Sequence, residues 1–354
     1  MRYPRIIIDT KEVRNNVKTL VNLCNKKDIE IAGVTKGICA HEDIVDSFVK
    51  GGVNYLADSR VQNLKKLQKY NLPKIMLRLP MISEVGDVVR YSDISLNSEI
   101  DTIKALSKAA AKIKKTHKII LMIDLGDLRE GYFYEEELYK TVEKIIGFEK
   151  IKIIGIGTNL TCYGGVIPSR DILKKLIRYK NILESKYNLK LQIISGGNSS
   201  SIDLVNEDNV PKGINNLRLG EVLLLGKETA YGKQIEGANL DAFTLEAEII
   251  EVKDKPSAPI GKIGKDAFGN TPTFEDKGIR KRILCGIGRQ DIELDSLTPI
   301  DQDLRIIGAS SDHMILDGSD SRKNYNVGGI LEFRLKYGGI LNIMTSEYVH
   351  KVIV

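Results

Sequence analysis

The sequence is poor in the residues that build metal sites and covalent frameworks. It has four cysteines, Cys24, Cys39, Cys162 and Cys285, and four histidines, His41, His117, His313 and His350, all far apart. No C-x-x-C pair occurs, so neither a zinc ribbon nor a disulfide framework is expected, and no metal is assigned. No apolar run reaches the roughly 20 residues of a membrane span. The first residues, MRYPRIIID, contain no apolar signal core. A cytoplasmic protein with no membrane partner is expected. Charge of either sign is not in large excess: 53 basic residues face 47 acidic ones, a net +6. The densest basic run, KAAAKIKKTHK at 108–118, reads as the solvated face and end of a helix, and no aromatic-rich basic motif accompanies it. Nucleic acid is therefore not an expected partner. Two nucleotide fingerprints are missing as well. No G-x-G-x-x-G opens the first turn, and the stretch from Gly220 to Lys227 lacks the Walker spacing and carries Glu228 where a hydroxyl is needed.

What is present is a long alternation of strand and helix signals. The 354 residues, 42% apolar and 28% charged, suffice for one large domain or two ordinary ones with a well-filled core. Behind Thr10, a possible cap, Val13, Val17, Leu20, Val21 and Cys24 form a helical stripe; Ile44, Val45, Phe48 and Val49 form the next, stopped at Gly51-Gly52. Ser59 with Gln62, and Ser98, read as further caps. Eight strands are predicted, at 31–36, 53–57, 74–79, 93–96, 118–124, 152–160, 191–195 and 216–219. Eight strand–helix units in series point to a (β/α)8 TIM barrel, against the usually smaller doubly wound sheet. After about residue 237 the pattern changes. FTLEAEIIEV and ILEFRLKY alternate apolar and polar residues, and RILCGIG, LRIIGAS, HMILD and YVHKVIV are further short strands with no long helical pattern among them. The α/β barrel is thus expected over 11–237 and a C-terminal β-domain over 238–354, with the N-terminal strand in residues 1–10 associating with the β-domain.

Function in such a barrel sits at the C-terminal ends of the strands. The first strand, I-A-G-V-T-K-G at 31–37, ends on a cation, Lys36. Taken alone, this reads as a lysine that leaves the sheet and carries its ammonium to water. The other strand ends supply a context. After the fifth comes D-L-G-D-L-R-E-G with Asp124 and Arg129; near the end of the sixth stand Thr158, Asn159 and Thr161; after the seventh comes S-G-G-N-S-S-S at 195–201; the eighth gives R-L-G-E at 218–221. The Gly/Ser-rich turn is by itself a loop with a helix cap. Placed beside a glycine at the end of strand eight, it forms a typical barrel phosphate site. A free lysine titrates near about 10.4, but burial and neighbouring cations favour its neutral, nucleophilic form. A neutral amine condenses with an aldehyde, and pyridoxal phosphate supplies both an aldehyde and a phosphate.

These motifs resemble the alanine racemase-type, fold type III pyridoxal-phosphate enzymes. V-T-K-G resembles their Schiff-base lysine segment, D-L-G-D-L-R-E-G their D-x-G-x-x-R-x-G segment, and R-L-G-E-V-L-L-L-G their R-x-G-x-x-x-x-G segment. G-I-G-R-Q-D at 286–291 and G-A-S-S-D-H at 308–313 extend the likeness toward members that act on ornithine. The resemblance implies a barrel followed by a β-domain and a racemase of ornithine or a related basic amino acid. It implies that Lys36 holds the cofactor and moves a proton at one face of the substrate Cα. Arg129 would face the cofactor's phenolic oxygen and the substrate carboxylate, Arg218 the pyridine nitrogen, and Asn159 the ring. Asn198, Ser199 and Ser200, with the amides of Gly220 and Glu221, would hold the phosphate. Ala40 and Met122 stand where the family often has a tyrosine and a carbamylated lysine, and Ile287 stands where it has the opposite-face tyrosine base. Asp312, His313 and Cys285 are the candidates to replace that base, although His313 also reads as a satisfied strand histidine. Asp127 and Asp291 are candidates for the substrate's second ammonium or are plain surface acids, and Ser311 is a further substrate contact. A homodimer with shared active sites is implied. Two other functions stay open on the same scaffold: a non-enzymatic pyridoxal-phosphate carrier, disfavoured by the β-domain, and a decarboxylase or D-amino-acid aldolase.

Overall fold

The computed structural model describes residues 2–354. The chain forms two compact units, one of residues 10–240 and one of the segment before Thr10 with Asp241–Val354.

The first unit is a (β/α)8 barrel. Its order is α1 (Thr10–Asn25), β2 (Glu30–Val34), α2 (Glu42–Gly51), β3 (Tyr55–Asp58), α3 (Val61–Lys66), β4 (Lys74–Met76), α4 (Val85–Tyr91), β5 (Ile94–Asn97), α5 (Ile100–Lys112), β6 (His117–Met122), α6 (Glu135–Ile145), β7 (Ile151–Gly157), α7 (Arg170–Tyr187), β8 (Ile193–Ser195), α8 (Ile202–Asn206), β9 (Asn216–Leu219) and α9 (Glu221–Leu225), after an initial β1 (Arg5–Ile8) that belongs to the other unit. Strands β2 to β9 pair in parallel and close on themselves, β9 returning to β2. Strand alternation decides which side chains fill the barrel. Ile120 and Met122 point in, with Ala32, Val34, Ala57, Ile75, Leu96, Ile154 and Ile193. Ile119 and Leu121 point out, against the buried stripes of α5, α6 and α7. Both clusters are apolar, and buried polar side chains of the strands, among them Asp58, Ser195, Asn216 and Arg218, stand apart from them.

The caps differ from the expected ones. Helix α3 begins at Val61 with Arg60 as its N-cap, and α5 at Ile100 with Glu99, so Ser59 and Ser98 lie just outside. At α3 the work of a cap falls to Asp58, whose Oδ1 accepts the Arg60 amide at 2.9 Å and the Asn63 side chain at 3.1 Å.

The second unit is a β-domain. β10 (Phe243–Pro256), β11 (Ile279–Cys285), β12 (Leu297–Pro299), β13 (Arg305–Ala309), β14 (Met314–Asp317) and β15 (Ile330–Leu335) form a sheet in the order β12-β15-β10-β11-β14-β13. β1 pairs antiparallel with β10 and parallel with β16 (His350–Ile353). The alternation of FTLEAEI appears as burial of Phe243, Leu245, Ala247 and Ile249. One helix, α10 (Tyr337–Thr345), was not expected. Strand β15 stops at Leu335 because the Lys336 amide turns to the Ser296 carbonyl, 2.8 Å away, and Ile340, Ile343 and Met344 then bury one helical face. Among the described residues, no helix is long and apolar enough to cross a membrane, and no group of His, Cys, Asp or Glu is arranged to hold a metal ion.

Candidate active site

The barrel strands deliver their polar residues to one mouth. β2 ends at Val34, and Lys36 opens a single 3-10 turn, Lys36–Ile38. Thr35 fixes this turn from beneath. Its amide donates to the Ala57 carbonyl at 2.8 Å, its hydroxyl donates to Asp58 Oδ2 at 2.6 Å, and its carbonyl accepts from the Ile38 and Ala40 amides. Asp58 is fully buried, and burial raises its carboxyl above the usual range despite the Thr35, Arg60 and Asn63 donors. The Lys36 side chain is exposed, and its amine makes no ion pair or hydrogen bond among the described residues.

The segment 124–131 folds into a tight loop. Asp124 Oδ1 accepts the Gly126 and Leu128 amides at 2.8 and 3.2 Å. Gly131 closes the loop at φ +126°, where a Cβ would lie 2.6 Å from the Asp124 nitrogen. Arg129 stands near the tip, its Nε and one terminal nitrogen paired to both oxygens of Glu130. Asp127 points the other way. It is buried, and its two oxygens accept four backbone amides of the following strand's loop: Thr161 and Val166 on Oδ1, Cys162 and Tyr163 on Oδ2, at 2.9 to 3.2 Å. Its two oxygens are engaged by that loop, which makes Asp127 a loop anchor and argues against its binding a substrate ammonium.

Arg218 is the only arginine in β9, and only 4% of it is exposed. It donates to the Ser195 hydroxyl, to the Thr158 carbonyl at 2.6 Å and to Asn159 Oδ1 at 2.6 Å. All three acceptors are neutral. A guanidinium has five N–H donors, so one on Nη1 and one on Nε remain. Burial lowers the Arg218 pKa to about 10, partly offset by Glu130, and the side chain stays protonated at neutral pH. Burial also pushes Glu130 up, but Arg129, the Asn159 amide and the Arg218 charge together hold it below the usual carboxylate range. Register sets Arg218 beside Ala32 of β2, so the turns after both strands are neighbours. In the turn after β8, Asn198 caps the Ser199–Ser201 turn through Ser200 and donates to the Leu160 carbonyl, while the Ser199 hydroxyl lies 3.3 to 3.4 Å from the amides of Gly220 and Val222.

A family model described as "Alanine racemase, N-terminal domain" matches residues 8–227, which span the whole barrel. The chain belongs to this family. It is 54% identical to the ornithine racemase of Acetoanaerobium sticklandii, over 99% of both chains, and 40% identical to the lysine racemase of Thermotoga maritima, again over 99% of both. In fold it is similar to an alanine racemase of Clostridium difficile 630, with a TM-score of 0.75 at 19% identity, covering 100% of this chain and 96% of that one. A structure of the Bartonella henselae alanine racemase with covalently bound pyridoxal phosphate superposes with a TM-score of 0.74 at 18% identity, covering 100% of both chains.

Within this alanine racemase-family barrel, Lys36, Arg129, Asn159, Arg218 and the 198–200 and 220–221 turns all lie at the C-terminal ends of strands. The donor set suits a ligand with three features: an anionic group for the Ser199 and Gly220 turns, an uncharged acceptor for the spare N–H groups of buried Arg218, and a carbonyl for the Lys36 amine. The buried Thr158 hydroxyl, which has no partner among the described residues, is a further polar atom at this end of the barrel.

The remaining predicted residues lie in the β-domain. Gly288 crosses the 310–313 turn so closely that a Cβ would meet the Asp312 nitrogen and the Ser311 oxygen at 2.4 Å. The Arg289 and Gln290 amides donate to the Ser310 and Ser311 carbonyls at 2.9 Å, which stitches G-I-G-R-Q-D to G-A-S-S-D-H. In that turn Asp312 and His313 form an exposed pair, Oδ1 to Nδ1 at 2.9 Å. The His313 hydrogen bond holds the Asp312 carboxyl below its ordinary range. Cys285 has no exposure, and burial pushes its thiol up to about 12, which argues against it as the second base. Asp291 is mostly buried and accepts the Ser346 hydroxyl at 2.6 Å. Three residues at the mouth escaped the sequence reading: Glu130 and Asp58, each beside a quoted residue, and the exposed Cys162. Protein packed around its sulfur raises the Cys162 thiol even though the residue has solvent access, while the charges of Arg129 and Lys36 pull it down.

Proposed function

We propose that the chain is a pyridoxal-phosphate-dependent racemase that interconverts L- and D-ornithine or a related basic amino acid. The observation that carries the reading is a pair of cations at the ends of two paired strands of one barrel: Lys36, in the turn after β2 and without a carboxylate partner among the described residues, and Arg218 of β9, a buried guanidinium with donors to spare. The identity to the ornithine and lysine racemases over nearly the whole chain supports a side chain bearing a second ammonium.

Lys36 would hold the cofactor. The turn of Asn198, Ser199 and Ser200, with the Gly220 and Glu221 amides, would receive the phosphate. Pyridoxal phosphate, when bound, supplies an aldehyde that captures amines and a ring that acidifies the substrate Cα–H. Arg218 keeps its own proton at neutral pH, so it donates a hydrogen bond to an acceptor without protonating it. That moderates electron withdrawal and favours prompt return of the proton to Cα. Arg129 retains a terminal nitrogen for the substrate carboxylate while its other face stays on Glu130. Lys36 serves one face of Cα, and the other face needs a second group. We assign it to His313, oriented by Asp312 and delivered by a second copy of the chain in a homodimer. Ser311 would contact the substrate from the same turn, and the Asp291 carboxylate would attract the distal ammonium.

Incubation of the pure protein with pyridoxal phosphate and L-ornithine, followed by chiral chromatography, tests this reading. D-ornithine should accumulate toward an equal mixture, and faster than D-alanine from L-alanine. L-ornithine that stays enantiomerically pure rules the substrate out.

A further inference from the structure

The two arginines of the mouth are joined by an unbroken set of hydrogen bonds. Arg129 grips both oxygens of Glu130. Glu130 Oε1 also accepts the side-chain amide of Asn159. Asn159 Oδ1 accepts a terminal N–H of Arg218 at 2.6 Å. The order of donors and acceptors leaves no freedom. An Asn amide has one donor end and one acceptor end. Because Glu130 can only accept and Arg218 can only donate, the amide of Asn159 has one orientation that satisfies both. Glu130 is half-buried, and it is the carboxylate that lies between the two guanidinium groups. Without it, Asn159 could turn over and present its N–H2 to Arg218, donor against donor.

We propose that Glu130 is a positioning residue that orients Asn159, and through it Arg218, while holding Arg129 at the loop tip. This rests on the cofactor reading above only for its consequence: the N–H groups left on Arg218 stay aimed at the ring. The coupling of Arg129 to Arg218 belongs to the protein alone. Replacing the carboxylate by an amide of the same shape, Glu130→Gln, keeps the volume and removes the charge and one acceptor.

The test has two arms. In protein without cofactor, the pH–rate profile of Cys162 alkylation, followed on the Cys162 peptide by mass spectrometry, reports the local field. That thiol feels Arg129, Lys36 and Arg218 as cations and Glu130 and Asp127 as anions. Glu130→Gln should lower its midpoint by about one pH unit, because an anion that disfavours thiolate is gone. Glu130→Asp, which keeps the charge, should stay near the wild type. In the second arm, pyridoxal-phosphate affinity is measured by absorbance titration. Glu130→Gln should weaken it about tenfold, and Glu130→Asp should recover most of the loss. In an Arg129→Ala/Asn159→Ala background, adding Glu130→Gln should weaken binding no further, since Glu130 acts through those two side chains. An unmoved thiol midpoint, or a further loss when Glu130→Gln is added to the Arg129→Ala/Asn159→Ala background, would overturn the proposal. If the wild type takes up no pyridoxal phosphate, the functional reading fails, and the thiol arm still decides whether Glu130 sets the field at the mouth.

Discussion

Asp127→Asn separates a loop anchor from a substrate receptor. The carboxylate takes four amides, two per oxygen. Asparagine keeps one oxygen and puts an N–H2 group where the other was, so two amides lose their acceptor and face a donor instead. A hydrogen bond to a charged group is worth about 1.5–3 kcal/mol, which sets an upper range of about 3–6 kcal/mol for the pair. The loop is open to water, with Tyr163 77% exposed, so rehydration of the freed amides reduces the net loss to roughly half of that. Hydrogen exchange read at the amides of 161–166 is the assay. Protection of the two amides should fall about 10- to 150-fold, with a smaller change in the urea midpoint. Activity toward ornithine and toward alanine should fall together. Unchanged protection, with a KM rise confined to diamino acids, would show that the carboxylate faces the substrate and would refute the reasoning.

Two further predictions concern stability. His117 is buried in β6 with Nε2 on the Ser95 hydroxyl, and burial, with the charge of Lys115, pushes its pKa from 6.5 down to about 4. The unfolded chain therefore binds a proton that the folded chain refuses between those values; stability is full above pH 6.5 and falls by about 3 kcal/mol as pH drops to 4. Urea titrations from pH 7 to 4 should show this slope, and His117→Gln should flatten it. Gly131→Ala should destabilise the protein by about 3 kcal/mol, because φ is +126° and the new methyl meets backbone at 2.6 Å. It should also raise the KM through displacement of Arg129, whereas Gly86→Ala, with open space around it, should do neither.

The barrel was legible because its strands are short apolar runs at regular spacing, and five of them are ended or followed by polar residues on the side where function collects. Lys36 and Arg218 stand out in sequence for that reason: each is a cation beside a run of side chains that the barrel buries. What sequence could not supply is the direction of acceptors. Asp127 and Glu130 sit three residues apart in one motif, and only the turn at Gly126 and Gly131 decides that the first faces the amides of 161–166 and the second faces Arg129 and Asn159. Cys285 is adjacent to a motif that lines the 310–313 turn, yet strand alternation turns its side chain into the sheet's core. Helix α10 was hidden because ILEFRLKY continues a strand alternation past Leu335, where the strand ends: only the Lys336 amide turning to the Ser296 carbonyl stops it.

The most direct measurement of the central claim is borohydride fixation of pyridoxal phosphate followed by peptide mapping. The account predicts a visible chromophore in the wild type, bleached on reduction, with the pyridoxyl group on the peptide that contains Lys36, and no such chromophore in Lys36→Ala. A chromophore that survives in Lys36→Ala, or a label on another lysine, would contradict it.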